Sequence, residues 1–215
     1  MNIRAALRAS LFLSCALLVS ACRPPKYVRY DSSAGDFSTE VPYGWQVFYE
    51  ENGSDYYNYT FIGPFDGDFY RGAPSISIRW YAKNRLHPLP LYAGEEIYSS
   101  ADDYIEKTLQ EVYGPKAKFT QPAHQIEVSG LAAQHFIVSS PMDVAAATRY
   151  GAVTNEKGRV AVLREHAYVV LPMDNGFYVL IYPATKTGYP KFETNFNQLV
   201  HKFRVLRDGP AGPKV

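Results

Sequence analysis

Ala167-Tyr-Val-Val-Leu-Pro-Met-Asp-Asn-Gly-Phe-Tyr-Val-Leu-Ile-Tyr182 is the stretch that decides the fold of this chain. Two continuous apolar runs, Ala167 to Leu171 and Phe177 to Tyr182, flank Asp174-Asn175-Gly176. Asn-Gly is a preferred sequence for a tight hairpin turn, and apolar runs without alternation are typical of strands buried on both faces. The stretch predicts an antiparallel hairpin inside a covered sheet.

Alternating stretches predict further strands on the N-terminal side of this hairpin. Tyr57, Tyr59 and Phe61 alternate with Asn58 and Thr60, which gives one apolar and one polar face. The same period of two recurs where Ile76, Ile78 and Trp80 alternate with Ser77 and Arg79. His124 to Val128 and Ala132 to Val138 flank Ser129-Gly130 and predict a second hairpin.

A third hairpin is expected near the N-terminus. Two short strand-like runs, Phe37 to Pro42 and Trp45 to Tyr49, are separated by Pro42-Tyr43-Gly44. Proline and glycine mark turns, so the two runs are predicted to pair with each other.

Two helices are predicted. Ser99 and Ser100 are candidate N-caps, Asp103 follows Ser100 by three residues, and Gly114-Pro115 ends the run. Apolar residues at helical spacing follow the first cap, and a second apolar stripe lies near the C-terminus. Their members are Ile105, Leu109 and Val112 in the first helix and Phe192, Phe196, Leu199, Val200 and Phe203 in the second.

Together these elements predict the α+β class, with a mainly antiparallel β-sheet flanked by two or more helices. Long loops are expected at 84–97 and 141–158. The predicted organisation is a cleaved signal peptide at 1–21, a lipidated N-terminus and linker at 22–34, one domain at 35–206 and a flexible tail at 207–215.

The first residues have the pattern of a secretion signal. Arg4 and Arg8 precede a short apolar run, which ends in Val19-Ser20-Ala21-Cys22. The last four residues resemble the bacterial lipobox, which implies acylation of Cys22 and attachment to membrane lipid. Because Arg23 rather than Asp follows the cysteine, the sorting rule of Gram-negative lipoproteins implies the outer membrane, facing the periplasm. An ordinary cleavage site that leaves Cys22 as a free thiol remains the alternative.

The charge and cysteine content argue against nucleic-acid binding and against an intramolecular disulfide. The 215 residues carry 22 Lys+Arg and 21 Asp+Glu, a formal net charge of +1, so no electrostatic footprint for nucleic acid is present. Of the 2 cysteines, Cys15 lies inside the apolar run and leaves with it. The mature chain therefore cannot form an intramolecular disulfide.

One stretch near the N-terminus carries a family resemblance. Asp36 to Trp45, a strand ending in Pro-x-Gly-Trp, resembles the opening signature of the PsbP-like superfamily. Ser99 to Tyr104 resembles its first helix, Ile126 to Ala133 its Val-x-Gly-x-Ala hairpin, and Phe196 to Val205 its closing helix and strand. The resemblance spans residues 35–206 and implies an α/β/α sandwich and a binding or assembly role rather than catalysis. It carries no metal-binding residue over to this chain.

Recognised catalytic motifs are missing from the sequence. It contains no dinucleotide fingerprint, phosphate-binding loop, nucleophile elbow or His-Glu-x-x-His pair. His124 and His135 could approach across their hairpin, where Glu127 or His166 could complete a metal site, but no pair has the ligand spacing of one. We therefore expect no catalytic residue, no metal and no cofactor.

Aromatic residues are the most unusual feature of the N-terminal half. Those that alternate along a strand are expected in the core, whereas those beside Gly, Asp and Pro are expected in exposed loops. The candidate binding surface consists of Tyr56, Phe65, Phe69 and Tyr70. Two hypotheses follow: an envelope lipoprotein that binds a protein partner or assists assembly, and a lipoprotein that binds a glycan, lipid or pigment. A hydrolase is a third alternative.

Overall fold

The computed structural model describes residues 24–68, 72–88, 94–145 and 159–209, with the backbone alone at 142–145 and 159–161. The strands are β1 (Tyr27–Asp31), β2 (Phe37–Pro42), β3 (Gln46–Asn52), β4 (Tyr56–Ile62), β5 (Ser75–Ala82), β6 (Leu86–Pro88), β7 (Glu95–Ile97), β8 (Lys118–Val128), β9 (Leu131–Ala145), β10 (Arg159–Pro172), β11 (Gly176–Thr185) and β12 (Arg204–Val205). The α-helices of this part of the chain are α1 (Ala101–Thr108) and α2 (Tyr189–Lys202). A π-helical turn, Leu109–Tyr113, and a 3₁₀ turn, Gly114–Lys116, continue α1.

A seven-stranded antiparallel sheet forms the centre of the domain, in the order β3-β4-β5-β11-β10-β9-β8. The predicted hairpin of β10 and β11 lies in its interior, with Val170 opposite Val179. The predicted apolar runs, 167–171 of β10 and 177–182 of β11, are buried on both faces, which explains their unbroken apolar sequence. The α+β class, with a mainly antiparallel sheet flanked by two helices, is confirmed.

Close backbone contact at the turn between β10 and β11 requires a glycine. A Cβ atom added to Gly176 would lie 2.3 Å from the carbonyl oxygen of Tyr81. The predicted hairpin of β8 and β9 is also confirmed, because Val128 pairs with Leu131 across a two-residue turn. Ser129 and Gly130 in that turn have positive φ angles of 57° and 78°, as a tight hairpin turn requires.

The predicted N-terminal hairpin is wrong. β2 pairs with β1 on one side and with β12 on the other, in a separate three-stranded sheet, whereas β3 pairs with β4. The Trp45 N–H donates to the Pro42 carbonyl at 3.3 Å, so the chain does turn at the predicted place. Since both edges of β2 already have partners, the turn leads into the other sheet instead of closing a hairpin.

Helices cover both faces of the large sheet, so the domain has three layers. Phe196 and Leu199 of α2 pack with Phe37 of β2 on the face formed by Tyr57, Tyr59 and neighbouring aromatic residues. Phe37 stacks on Phe203 with ring centroids 5.3 Å apart. α1 packs on the opposite face.

The first helix begins where its capping residues predict. The Ser100 Oγ accepts the Asp103 N–H at 3.1 Å, and the Asp103 carboxylate accepts the Ser99 N–H at 2.7 Å. Its most buried face differs from the expected apolar stripe and is formed by Ala101, Tyr104 and Thr108. The predicted stripe of Ile105, Leu109 and Val112 is partly buried beside it.

The two segments expected to be long loops contain strands. Leu86–Pro88 pairs with Glu95–Ile97, and β9 continues through Pro141 to Ala145 opposite β10. At the C-terminal end of the described chain, the Asn175 amide donates to Asp208 at 2.7 Å and Gly209 lies against Trp80. No helix among the described residues is long and apolar enough to cross a bilayer.

Candidate functional site

A cavity of about 180 Å³ lies between α1 with its π turn and the face of the sheet that they cover. The helical segment contributes Tyr104, Thr108, Glu111, Val112 and Tyr113 to the wall. The sheet contributes both polar and apolar residues to the wall: Ser77, Arg79, Tyr81, His166, Tyr168, Ile181 and Pro183.

Strand alternation explains why polar residues form the floor of the cavity. In β5, Ile76, Ile78 and Trp80 enter the core beneath α2, so Ser77 and Arg79 must point to the opposite face. The sequence correctly predicts this as the polar face of the strand. That face nevertheless does not lie in open solvent, because Tyr81 on the same side packs against Tyr104 of α1, with ring centroids 5.3 Å apart.

The π turn brings Tyr113 to the wall of the cavity. Its hydroxyl lies 2.6 Å from His166 Nδ1 and 2.5 Å from the Tyr168 hydroxyl, both on β10. The Arg164 guanidinium lies 4.9 Å from the centre of the Tyr113 ring and donates to the Val112 carbonyl at 3.2 Å. A wide turn at the end of a helix therefore joins α1 to the sheet through a hydrogen-bonded chain of side chains.

Arg79 is the central charged group of the cavity. Its Nε atom is buried without a hydrogen-bond partner, while the hydroxyl of the neighbouring Tyr81 interacts with the side chains of Arg79 and Tyr104. No carboxylate of the described residues forms an ion pair with it. Desolvation opposes its charged form, but the surrounding phenols, Tyr81 first, keep the pKa of Arg79 above its ordinary value. A positive charge thus faces the cavity, and no negative side chain in the described part of the chain pairs with it.

The other groups at the floor of the cavity are neutral at pH 7. Burial first, and the nearby Arg164 second, lower the pKa of His166 to about 3. Burial raises the pKa of Tyr104 and Tyr168 well above the ordinary value, so both keep their hydroxyl protons. Glu111 is exposed on the π turn at the cavity wall. The deep part of the cavity therefore combines one fixed cation with neutral hydroxyls.

Replacing His166 by Gln is expected to make the stability of the domain less dependent on pH. The folded-state pKa of about 3 lies below the ordinary 6.5, so the unfolded chain takes up the proton first as the pH falls. Protonation of His166 in the unfolded chain should therefore lower the free energy of unfolding by about 2 kcal/mol as the pH falls from 7 to 5. Gln keeps an acceptor for Tyr113 but does not titrate.

Urea unfolding of the wild type and of His166→Gln at pH 5, 6 and 7 measures this difference. His201→Gln is the control, because His201 is an exposed imidazole at the end of α2. Equal pH dependence of the wild type and His166→Gln would show that His166 is not desolvated in the folded protein.

The structure describes two of the four residues of the predicted binding surface, Tyr56 and Phe65, and they differ in exposure. Tyr56 was expected to be exposed, and this is wrong: only 5% of it is accessible. It occupies β4, where its ring packs against Tyr81 at 5.2 Å, because the face of the sheet opposite Tyr57 is also covered. Phe65 is 51% exposed, as expected. Phe69, Tyr70 and the lipidation candidate Cys22 lie outside the described residues.

The two histidines predicted to approach each other do so. His124 and His135 are opposite one another in the hairpin of β8 and β9, with ring centroids 5.1 Å apart. Within the described residues, no three His, Cys, Asp or Glu side chains gather as metal ligands. His166 points instead into the cavity beneath α1.

The sequence analysis missed the cavity and its arginine. In the sequence, Arg79 has the pattern of a polar residue on a half-buried strand, and Tyr113 has the position of the last residue of a helix. A signal was present, since Tyr81 stands two residues after Arg79 on the same face and needs a cover. Which element supplies that cover depends on contacts between distant parts of the chain.

Comparisons with known proteins identify neighbours by structure alone. No family model and no curated protein matches the chain. The solution structure of cyanobacterial PsbP (CyanoP) from Synechocystis matches with a TM-score of 0.47 and 10% identity over 86% of this chain and 95% of that one. LpqN of Mycobacterium tuberculosis, a protein involved in cell envelope biogenesis, matches with a TM-score of 0.41 and 14% identity over 83% and 90%.

A protein of Bacteroides thetaiotaomicron matches with a TM-score of 0.42 and 13% identity over 86% of this chain. The present chain spans 50% of the length of that protein. At these identities no functional residue is transferred from the neighbours to this chain.

Proposed function

We propose that this chain is a membrane-anchored lipoprotein of the bacterial envelope whose PsbP-like domain binds a small ligand in the cavity beneath α1. The proposed anchor is the acylated Cys22, and the proposed location is the outer membrane, facing the periplasm, in a Gram-negative source. The PsbP-like part of the proposal rests on the signature from Asp36 to Trp45.

The observation that carries the binding proposal is Arg79, which has no carboxylate partner among the described residues and faces a partly open cavity. A buried charge without a partner lowers stability, so retaining one needs a compensating use. Aromatic rings and a few polar groups around a small concave space are typical of ligand sites. The cavity of about 180 Å³ is comparable with engineered cavities of about 150 Å³ that bind benzene.

The chemistry of the cavity suits binding better than catalysis. Arginine stays charged at every physiological pH and cannot accept a proton. His166, the group that could serve as a base, has a pKa of about 3 and lies 2.6 Å from the Tyr113 hydroxyl. A general base works best with a pKa near the working pH, which this imidazole does not have.

Filling the cavity tests the proposal. Ile181 is buried on β11 and lines the cavity, so Ile181→Phe places a ring in the space that a ligand would occupy. We expect native mass spectrometry of the protein purified from its own membranes to show a bound small molecule, which is absent from Ile181→Phe. Titration with benzyl alcohol should likewise give binding to the wild type and at least tenfold weaker binding to the variant.

The matched control is Ile97→Phe, because Ile97 is 49% exposed on β7 and does not line the cavity. It should bind like the wild type. If Ile181→Phe folds and binds both the native molecule and benzyl alcohol unchanged, the ligand does not occupy this cavity.

Docking of an envelope protein is the second candidate function, and the edge strand β3 favours it. All seven residues of β3 are exposed, and within the described residues no strand pairs with its outer edge. Phe48 is 53% exposed, and Tyr43 just before the strand is 56% exposed. In-cell cross-linking of the wild type and of a Tyr43→Ala, Phe48→Ala variant distinguishes this candidate from the first, because neither residue lines the cavity.

A further inference from the structure

We propose that the ligand of the cavity beneath α1 is a small organic acid with a single negative charge, bound through its anionic group to Arg79 and through one ring or a body of similar size to the apolar walls. This inference rests on the proposed function and specifies its ligand. Charge, size and wall chemistry support it separately.

The charge of the ligand follows from what surrounds Arg79. Guanidinium offers five N–H donors in a planar fork that matches the two oxygens of a carboxylate. In the described residues no carboxylate pairs with Arg79, and its Nε remains without an acceptor. The titratable groups that act on it most strongly are the phenols of Tyr81 and Tyr104, which are neutral. An anion from outside the chain would supply the acceptor that is missing.

The hydroxyls of the cavity favour a ligand that can accept more than one hydrogen bond. The buried Tyr81 hydroxyl lies on the same face of β5 as Arg79 and interacts with the side chains of Arg79 and Tyr104. A carboxylate has about four lone-pair sites, so one group could accept from the guanidinium and from this phenol together. A neutral alcohol would leave the arginine charge uncompensated.

The volume of the cavity matches a small ligand body. A cavity of about 180 Å³ holds one six-membered ring with a carboxyl group, since about 150 Å³ holds benzene. Ile181, Pro183 and the rings of Tyr104 and Tyr168 form apolar walls around this volume. A fully hydrated inorganic anion would leave these walls without contacts, which disfavours phosphate or sulfate as the occupant.

The exposed Glu111 limits the ligand to one negative charge. Glu111 lies on the π turn in one part of the cavity wall, whereas Arg79 lies on β5 of the sheet. An anionic group directed towards Arg79 is attracted there, while a second anionic group at the other end of the ligand would meet the carboxylate of Glu111. A dicarboxylate is therefore expected to bind more weakly than a monocarboxylate.

Isothermal titration of the folded domain with four probes tests the inference: benzoate, benzyl alcohol, terephthalate and inorganic phosphate. We expect benzoate to bind at least tenfold more tightly than any of the other three. Arg79→Met removes the charge and leaves an unbranched apolar side chain. It should weaken the binding of benzoate at least tenfold, while its affinity for benzyl alcohol stays within about threefold of the wild-type value. Arg85→Met is the control, because Arg85 is exposed and does not line this cavity.

Thermal unfolding without ligand separates a binding arginine from a structural one. Because Arg79 has no partner in the free protein, Arg79→Met should melt at the same temperature as the wild type or higher. Added benzoate should raise the melting temperature of the wild type but not of Arg79→Met. A lower melting temperature for ligand-free Arg79→Met would assign the arginine a structural role and overturn the inference.

The outcomes distinguish the inference from the proposed function. If benzyl alcohol binds as tightly as benzoate and Ile181→Phe blocks the binding of both, the cavity is a ligand site but its ligand need not be an acid, and the inference fails. If phosphate binds as tightly as benzoate, the apolar part of the inference is wrong. If no probe binds to the wild type, the inference and the proposed function both fail.

Discussion

Asp36→Ala is expected to lower the free energy of unfolding by about 4 kcal/mol, a large part of the stability of a domain of this size. Asp36 is completely buried. Its carboxylate accepts hydrogen bonds from Ser32 Oγ at 2.6 Å, from the Tyr178 hydroxyl at 2.9 Å and from the Tyr57 hydroxyl. Alanine would leave three buried hydroxyls without their acceptor, and each such loss costs about 1–3 kcal/mol.

The position of Asp36 makes this loss cooperative. Ser32 belongs to the turn between β1 and β2, Tyr57 to β4 and Tyr178 to β11, so one carboxylate joins the small sheet to the large one. The Asp36 carbonyl also accepts the Leu206 N–H at 2.7 Å, which holds the end of β12. Removal of the carboxylate should therefore loosen the packing of the two sheets as well as break three bonds.

Urea unfolding followed by tyrosine and tryptophan fluorescence measures the effect. Asp31→Ala is the matched control, since Asp31 is an exposed carboxylate on β1 that pairs with the exposed Arg29 at 2.8 Å. Exposed pairs contribute about 0–1 kcal/mol. Asp36→Asn keeps one acceptor and should fall between the two. Equal unfolding midpoints for Asp36→Ala and Asp31→Ala would show that the buried carboxylate does not join the sheets.

Cys22→Ser is expected to abolish lipid labelling and to move nearly all of the chain from the membrane to the soluble fraction. Without the predicted signal peptide, which contains Arg4 and Arg8, the chain carries 20 Lys+Arg against 21 Asp+Glu, so its slightly negative net charge offers no electrostatic attraction to anionic lipid. Each buried methylene of an acyl chain contributes about 0.8 kcal/mol, and two or more chains hold a protein stably. Without acylation the proposed attachment is lost as a whole.

Metabolic labelling with a palmitate analogue, followed by membrane fractionation, measures both effects. The sequence offers a control of the same chemistry, Cys15→Ser, because Cys15 lies in the apolar run that is predicted to be removed. Cys15→Ser should keep the label and the membrane location. A Cys22→Ser chain that stays fully membrane-bound would exclude the lipid anchor and favour the ordinary cleavage site.

Agreement between sequence and structure is closest where the signal is local. The β10–β11 hairpin, the cap of α1 at Ser100 and the turn at Ser129-Gly130 were predicted from neighbouring residues alone, and all three are confirmed. Alternation in β4 and β5 identified the strands and the side chains that enter the core beneath α2. These features depend on backbone preference and periodicity, which act over a few residues.

The predictions are wrong where the local sequence is compatible with several partners for one element. β2 and β3 are adjacent in sequence with a good turn between them, yet β2 pairs with β12 from the other end of the domain. Tyr56 has the sequence context of a loop residue but is buried, because the second face of β4 is covered as well. Local sequence cannot reveal which edge or face another element will occupy.

The candidate site forms only when elements that are distant in sequence pack together. Arg79 on β5 and Tyr113 on the π turn share a cavity with His166 on β10, although Tyr113 and His166 are 53 residues apart in the chain. The sequence by itself determined the strands, the helices, the antiparallel α+β class and the polar face of β5. Tertiary packing alone decided that α1 covers that polar face, because the cover depends on aromatic contacts between distant segments. The same packing partly buried Arg79 and placed it in the wall of a cavity, where no carboxylate of the described residues pairs with it.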